Sequence, residues 1–209
     1  MAPTGRTYAG VAVVQRKRDR RDRLLAAGLD RFTAVGFQQT KITELCAAAG
    51  VSTRDFYEVF PGKEALLLAL HEKINLLALN RVDETLKSLS ATDVRVRIGA
   101  LVDVFVEVVA SDPRLSRLNY VEAVGVSAKM ERQHQHWVTR WSELIEQEAV
   151  RAATHGLAPE RDYRLTAISL VGAVTGLLHE WQSHTTRYRI ADVTAEIKSL
   201  MLAAITRHP

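Results

Sequence analysis

Thr40-Lys41-Ile42-Thr43-Glu44-Leu45-Cys46-Ala47-Ala48-Ala49-Gly50-Val51-Ser52-Thr53-Arg54-Asp55-Phe56-Tyr57-Glu58-Val59-Phe60 reads as two short helices broken at Gly50-Val51. Ile42, Leu45, Cys46 and Ala49 fall at i, i+3, i+4 and i+7, which is one apolar stripe on a helix of about two turns. Thr40 is placed to cap that helix. Gly50 is the residue type most tolerant of the left-handed conformation that ends a helix, and Ser52 is an N-cap type that opens a second helix carrying Phe56 and Phe60 inward. Thr53, Arg54, Tyr57 and Glu58 are left facing outward. Two small amphipathic helices at this spacing are either a plain helical corner or a helix-turn-helix, the unit that lays its second helix in a DNA groove.

The flanks favour the second reading. Leu25, Gly28, Leu29 and Phe32 make a preceding amphipathic helix that ends near Gly36-Phe37 and floors the pair. Beyond Phe60, Pro61-Gly62 punctuates the chain, and Leu66, Leu67, Leu70, Ile74 and Leu77 begin a long new helix. Gly36-Phe37, Thr40, Ile42, Ala49-Gly50-Val51-Ser52, Phe56-Tyr57, Phe60 and Lys63-Glu64-Ala65-Leu66-Leu67 together resemble the signature of the tetracycline-repressor (TetR) family. The resemblance covers roughly residues 16–70. The chain departs from the family pattern at Asp55, Glu58 and Gly62, positions that bear on which operator is read rather than on how DNA is held.

The resemblance implies an all-α protein with a three-helix head, a helical-bundle body and a homodimer formed through the last two helices. The chain then divides into a flexible arm over 1–15, a DNA-binding head over 16–62 and a ligand-binding, dimerising body over 63–209. Length and an apolar content of 47% suit that division. The chain has no apolar run of the ~18 residues a membrane span needs, and its N-terminus lacks a compact apolar segment with a cleavage site, so a cytoplasmic protein with no membrane partner is expected. The single cysteine, Cys46, lies on the buried stripe and reads as core rather than as a redox sensor. No Cys/His cluster has metal-ligand spacing, no glycine-rich phosphate loop occurs, and no acid–base or nucleophile grouping stands out. The sequence suggests no catalytic site, metal or cofactor.

The net charge of +4 is unevenly spread: residues 1–63 hold eleven Lys/Arg against six acids, a local +5 that leaves the remainder at −1. The positive field therefore belongs to the head, as phosphate binding requires. By the resemblance, the second short helix enters the major groove while the first lies across the backbone. Tyr57, Thr40 and Lys63 are then phosphate contacts, with Lys41 beside them, while Ser52, Thr53 and Arg54 come nearest to base edges. Arg54 is the leading base reader, because a guanidinium addresses guanine O6 and N7 together. Glu58, at i+4 from Arg54, either pairs with it within the helix, the favoured reading, or accepts from cytosine N4. Asp55 reads as an acid that complements the helix dipole. The run Gln15-Arg16-Lys17-Arg18-Asp19-Arg20-Arg21-Asp22-Arg23 is either a solvated face or a set of backbone and minor-groove contacts.

In the body, helices are predicted near 63–87, 93–110, 114–124, 127–155, 161–183 and 192–207. The segment Leu101–Val109 leaves a narrow polar edge at Asp103 and Glu107, as in a helix surrounded by others. Leu165, Ile168, Val171, Gly172, Thr175 and Leu178, then Val193, Ile197, Leu200, Met201 and Ala204, give the last two helices wide apolar coverage, which either covers their own core or pairs two subunits. Asn119, Glu122, His134, Trp137, Trp141, Thr175 and His179 place polar and aromatic groups on apolar faces. Core packing explains such residues singly. Together they are candidates to line the site of an unidentified small-molecule effector of largely apolar or aromatic character. The leading function is a ligand-responsive transcriptional regulator, a repressor by the family's habit, that binds a pseudopalindromic double-stranded operator as a homodimer and is released by its effector. The alternative is a helical dimer that binds no DNA and carries a hydrophobic small molecule.

Overall fold

The structure is a computed structural model that describes the backbone of residues 5–90, 93–184 and 186–207, with side chains from residue 14 onward. Among the described residues all regular structure is helical: α1 (Gly5–Val35), α2 (Ile42–Ala49), α3 (Thr53–Val59), α4 (Lys63–Ser88), α5 (Val94–Ala110), α6 (Pro113–Arg117), α7 (Ala128–Thr154), α8 (Arg164–Ser183) and α9 (Ile190–Thr206). The chain divides into two compact units, Met1–His71 and Glu72–Pro209. This division falls inside α4 rather than at its start, because Leu66, Leu67 and Leu70 are buried in the first unit. Gly28 of α1 permits their approach: a Cβ there would come within 2.9 Å of the Leu66 side chain.

In the head, Leu24, Leu25, Phe32, Leu45, Phe56 and Phe60 are buried together with the first turns of α4. Where a flexible arm over 1–15 was expected, α1 begins at Gly5, and residues 1–4 lie outside the described set. No proline follows Pro3 before Val35, and extending an existing helix fixes one residue per added hydrogen bond, so nothing in the sequence stops propagation toward the N-terminus.

In the second unit α7 packs on α8, α8 on α9 and α5 on α9. Val82, Ile98, Val102, Val109, Trp137, Ile145, Ala149, Tyr163, Leu178, Ile197 and Met201 form one contiguous core. The expected helix over 114–124 is instead α6 followed by a wider π-type turn over Leu118–Glu122, closed by the Ala123 amide donating to the Leu118 carbonyl at 3.0 Å. That turn buries three consecutive residues, Leu118, Asn119 and Tyr120. Leu77, expected on the inner stripe of α4, is exposed; Ala78, Leu79 and Val82 carry the core beyond Ile74, and the polar Asn75 is buried among them. No helix among the described residues is long and apolar enough to cross a membrane.

One buried ion pair ties the body's helices together. Arg97 on α5 grips both carboxylate oxygens of Glu148 on α7, at 2.6 and 2.8 Å, and its remaining terminal nitrogen donates to the Leu86 and Leu89 carbonyls at the end of α4. Removing one partner of such a pair leaves the other charge buried and uncompensated. Arg97→Ala is expected to lower the unfolding free energy by about 3 kcal/mol. Denaturant titration reads this directly, and an unchanged midpoint would show the pair to be dispensable.

Candidate nucleic-acid interface

The α2–α3 reversal is built as its sequence dictates. Gly50 takes the left-handed conformation (φ 60°), which lets the Val51 amide donate back to the Cys46 carbonyl at 3.0 Å. Ser52 caps α3 by accepting from the Asp55 amide at 3.1 Å, while its own amide and hydroxyl donate to the Asp55 carboxylate at 3.3 and 2.7 Å. The cap of α2 differs from expectation. Lys41 holds the N-cap position, with its amide donating to Glu44 at 3.4 Å. Thr40 is buried, and its hydroxyl donates to the Gly36 carbonyl at 2.8 Å, so this side chain closes the preceding loop instead of facing outward.

The outer face of α3 is as the sequence predicts. Thr53, Arg54, Tyr57 and Glu58 are exposed while Phe56 and Phe60 are buried, and Ser52 and Lys41 are also open to solvent. The Arg54 side chain is 89% exposed. The Tyr57 ring stands edge-on against Phe56, 5.5 Å between centroids, which fixes where its hydroxyl is presented. Glu58 does pair with Arg54, at 3.4 Å from its Nε, but shares the carboxylate with Arg20, whose terminal nitrogen lies 3.3 Å away. Lys63 is committed differently from the expected point charge: its ammonium donates to the Phe37, Gln38 and Thr40 carbonyls at 2.9–3.1 Å and sits over the Phe37 ring. All three of its protons are taken by the loop before α2, so a phosphate contact there requires one of them to be exchanged.

The basic run of α1 does more internal work than either sequence reading allowed. Arg20 donates to Asp55 and Glu58 of α3, Arg23 to the Ala49 and Gly50 carbonyls at the end of α2, and Arg31 to Glu44, while Arg21 covers the Phe60 ring. The signal was present in the spacing, since Arg20, Leu24, Ala27 and Arg31 lie on one helical stripe with two buried members. Lys17 and Arg18 remain exposed on the same helix. Cys46 is a buried free thiol within the head core.

The effector candidates in the body sort into two sets. Trp137 and Trp141 are buried, and each indole N–H donates to α4: Trp137 to Glu72 at 3.1 Å and Trp141 to Asn75 at 3.3 Å. Asn75 in turn donates to Asn119 of the π-type turn at 2.9 Å, so three candidates converge on two α4 residues that sequence reading missed. The signal was a polar residue at a buried position of the α4 stripe. His179 is largely exposed, with Nδ1 2.7 Å from the carbonyl oxygen of Tyr120, on the same turn. Glu122, largely buried, pairs with Arg117 at 3.1 Å, and His134 and Thr175 are half-buried. Burial pushes the Tyr120 phenol well above its ordinary range, so it stays protonated. Among the described residues no three His, Cys, Asp or Glu side chains are grouped to hold a metal.

A family model described as bacterial regulatory proteins, tetR family, matches residues 24–70, the segment that builds α2, α3 and their supports. Residues 24–70 are thus a DNA-binding segment of the TetR regulatory family, and all regular structure among the described residues is helical. Over 162 residues, 75% of this chain and 73% of the relative, the chain is 28% identical to the HTH-type transcriptional regulator EthR of Mycolicibacterium smegmatis. Its fold is similar to that of the fatty acid degradation regulator FadR from Bacillus halodurans, with a TM-score of 0.77 and 20% identity across 91% of this chain and 97% of that one. A second neighbour in fold is the transcriptional regulator FadR from Bacillus subtilis in complex with stearoyl-CoA, with a TM-score of 0.75 and 17% identity across 89% of this chain and 98% of that one.

Hydrogen bonds from the Ser52 hydroxyl and amide, with Arg20 beside them, hold the Asp55 carboxyl below its ordinary value near 3.8. A carboxylate held low stabilises the fold above its unfolded value and loses that contribution as pH falls through the folded value. Thermal melts of the full chain are therefore expected to fall on acidification below about pH 3.8, less steeply in Asp55→Asn. Superimposable pH profiles would contradict the assignment.

Proposed function

We propose that this protein is a TetR-family repressor that binds a pseudopalindromic operator as a homodimer, through the outward face of α3, and is released by a small molecule held in the body. The observation that carries the reading is the presentation of Thr53, Arg54 and Tyr57 together on a helix whose inner face is locked into a basic head. Arg54 reads a guanine edge, and Tyr57 binds a phosphate. Lys41, Ser52, Lys17 and Arg18 add contacts around them. Residues 1–71 thus hold DNA in the cytoplasm, and residues 72–209 bring two heads together and hold the effector.

One head makes too few contacts for selective binding, and two reading helices about 34–36 Å apart address successive turns of one groove. Support for pairing through α8 and α9 comes from apolar side chains left uncovered there: Leu165 is 78% exposed, and Ile168 and Leu200 are partly so. A Cβ at Gly172 or Gly176 would meet no atom within 4 Å, which leaves α8 open to close approach by a partner helix. Val171, Leu178, Val193, Ile197 and Met201 face the body's own core instead.

The effector reading is supported by α4, a single helix whose first turns carry the head's Leu66, Leu67 and Leu70 and whose later turns carry Glu72 and Asn75. A largely apolar ligand that displaces Trp137 or Trp141 strips those two α4 residues of their indole donors and favours a different placement of the helix. Such an effector lowers operator affinity only by its preference for the DNA-incompetent state, about 1–3 kcal/mol. The stearoyl-CoA held by the Bacillus subtilis neighbour has the long apolar body this reading asks for.

The experiment is a gel shift on duplexes enriched by the protein from a random-sequence pool, repeated across salt concentrations. Enrichment of an inverted repeat, with affinity falling steeply in salt, is the expected result. Arg54→Ala is expected to relax the preference at one base pair by about 1–3 kcal/mol, whereas Tyr57→Phe weakens all duplexes alike. A protein that enriches no sequence yet takes up apolar small molecules would be a carrier and not a repressor.

A further inference from the structure

The reading helix is acidic by itself: Arg54 is outnumbered by Asp55 and Glu58 over Thr53–Val59. A helix of that charge is repelled by the phosphates that flank a groove. Arg20, from α1, meets both carboxylates, with one terminal nitrogen within reach of Asp55 Oδ1 and of Glu58 Oε2. Its side chain is 28% exposed and that of Asp55 33%, so the contact is partly withdrawn from water, where ion pairing is stronger than on open surface.

Glu58 is the contested group. Its other oxygen lies 3.4 Å from Arg54 Nε, at the long limit of hydrogen bonding, and that contact leaves the two terminal nitrogens of Arg54 for an end-on approach to a base. With Arg20 absent, the ion pair that ties Glu58 to α1 among the described residues is lost, and the carboxylate can close on Arg54 as a two-pronged pair and occupy the fork that guanine requires. We propose that Arg20 is a positioning residue for DNA readout, drawing both carboxylates of the reading helix toward α1 so that the two terminal nitrogens of Arg54 stay open to a base. The inference rests on the head binding DNA through α3. It adds that an α1 residue touching no base determines affinity and base preference through Glu58.

The test is a double-mutant cycle of Arg20→Ala and Glu58→Gln in the full chain, on a duplex that the wild-type protein enriches from a random-sequence pool. Arg20→Ala is expected to weaken binding about tenfold and to flatten the preference at the base pair assigned to Arg54. Adding Glu58→Gln is expected to restore most of the affinity and the preference, so that Arg20→Ala costs far less in the Glu58→Gln background than in the wild-type one. Melting temperatures of all four proteins are read alongside. If Arg20 only bolts α1 to α3, Glu58→Gln restores nothing in the Arg20→Ala background, and the proposal is overturned. Equal binding by Arg20→Ala and wild type overturns it as well, with the DNA reading intact. Where Arg20→Ala does not fold, Arg20→Lys is used in its place; a loss of affinity that Glu58→Gln reverses supports the proposal, and one it leaves unchanged overturns it. A wild-type protein that enriches no sequence removes the DNA reading, and the proposal with it.

Discussion

Gly50 is where the chain turns from α2 into α3, and the angle of that turn determines which side chains leave the surface. Its positive φ brings the Val51 amide onto the Cys46 carbonyl, and Arg23 of α1 takes up the Ala49 and Gly50 carbonyls that the reversal leaves without helical partners. An L side chain at Gly50 would be strained by its backbone alone. With this corner fixed, Phe56 and Phe60 fill the head core and set which face of α3 is turned inward. Thr53, Arg54 and Tyr57 then emerge on one side as a consequence of packing on the other.

Much of the arrangement was readable because it rests on local rules. The Ile42–Ala49 stripe, the left-handed glycine and the Ser52 cap each depend on residues within one turn of each other. What escaped reading depended on residues distant in sequence. Nothing near Lys63 signals that three carbonyls of the α1–α2 loop, 23 to 26 residues back, surround its ammonium; Thr40 is the local exception, its hydroxyl turning back to Gly36 four residues earlier instead of capping α2. Arg20 and Arg23 were divided between solvent and DNA because their partners, on α3 and at the end of α2, lie 26 or more residues away. In the body, periodicity placed the helices closely but misassigned Leu77 and overlooked Asn75. A buried amide with partners on α7 and the π-type turn is decided by tertiary contact, not by the pattern of α4 itself.

The head and the body solve different problems with polar groups. In the head, charged side chains on α1 fix short helices that have little stability of their own, since helices of seven and eight residues are marginal in water without tertiary support. In the body the long helices carry an apolar core, and the buried polar groups bond specific partners, among them Arg97 with Glu148, Asn75 with Asn119 and Trp141, and Gln182 with Ser116. Such groups are costly to leave unmatched, so each fixes one arrangement of helices against near alternatives. The Asn75 network lies on α4, the one helix shared between the two units' residues.

The central claim is that α3 lies in the major groove twice over, with Arg54 against a guanine edge. Dimethyl sulfate footprinting of the selected operator tests it most directly, because the reagent methylates guanine N7 in the major groove. The account predicts two protected guanines, one in each half-site, about 10–10.5 base pairs apart, and loss of both protections in Arg54→Ala. Protection confined to adenines in the minor groove, or guanine protection that persists without Arg54, would contradict it.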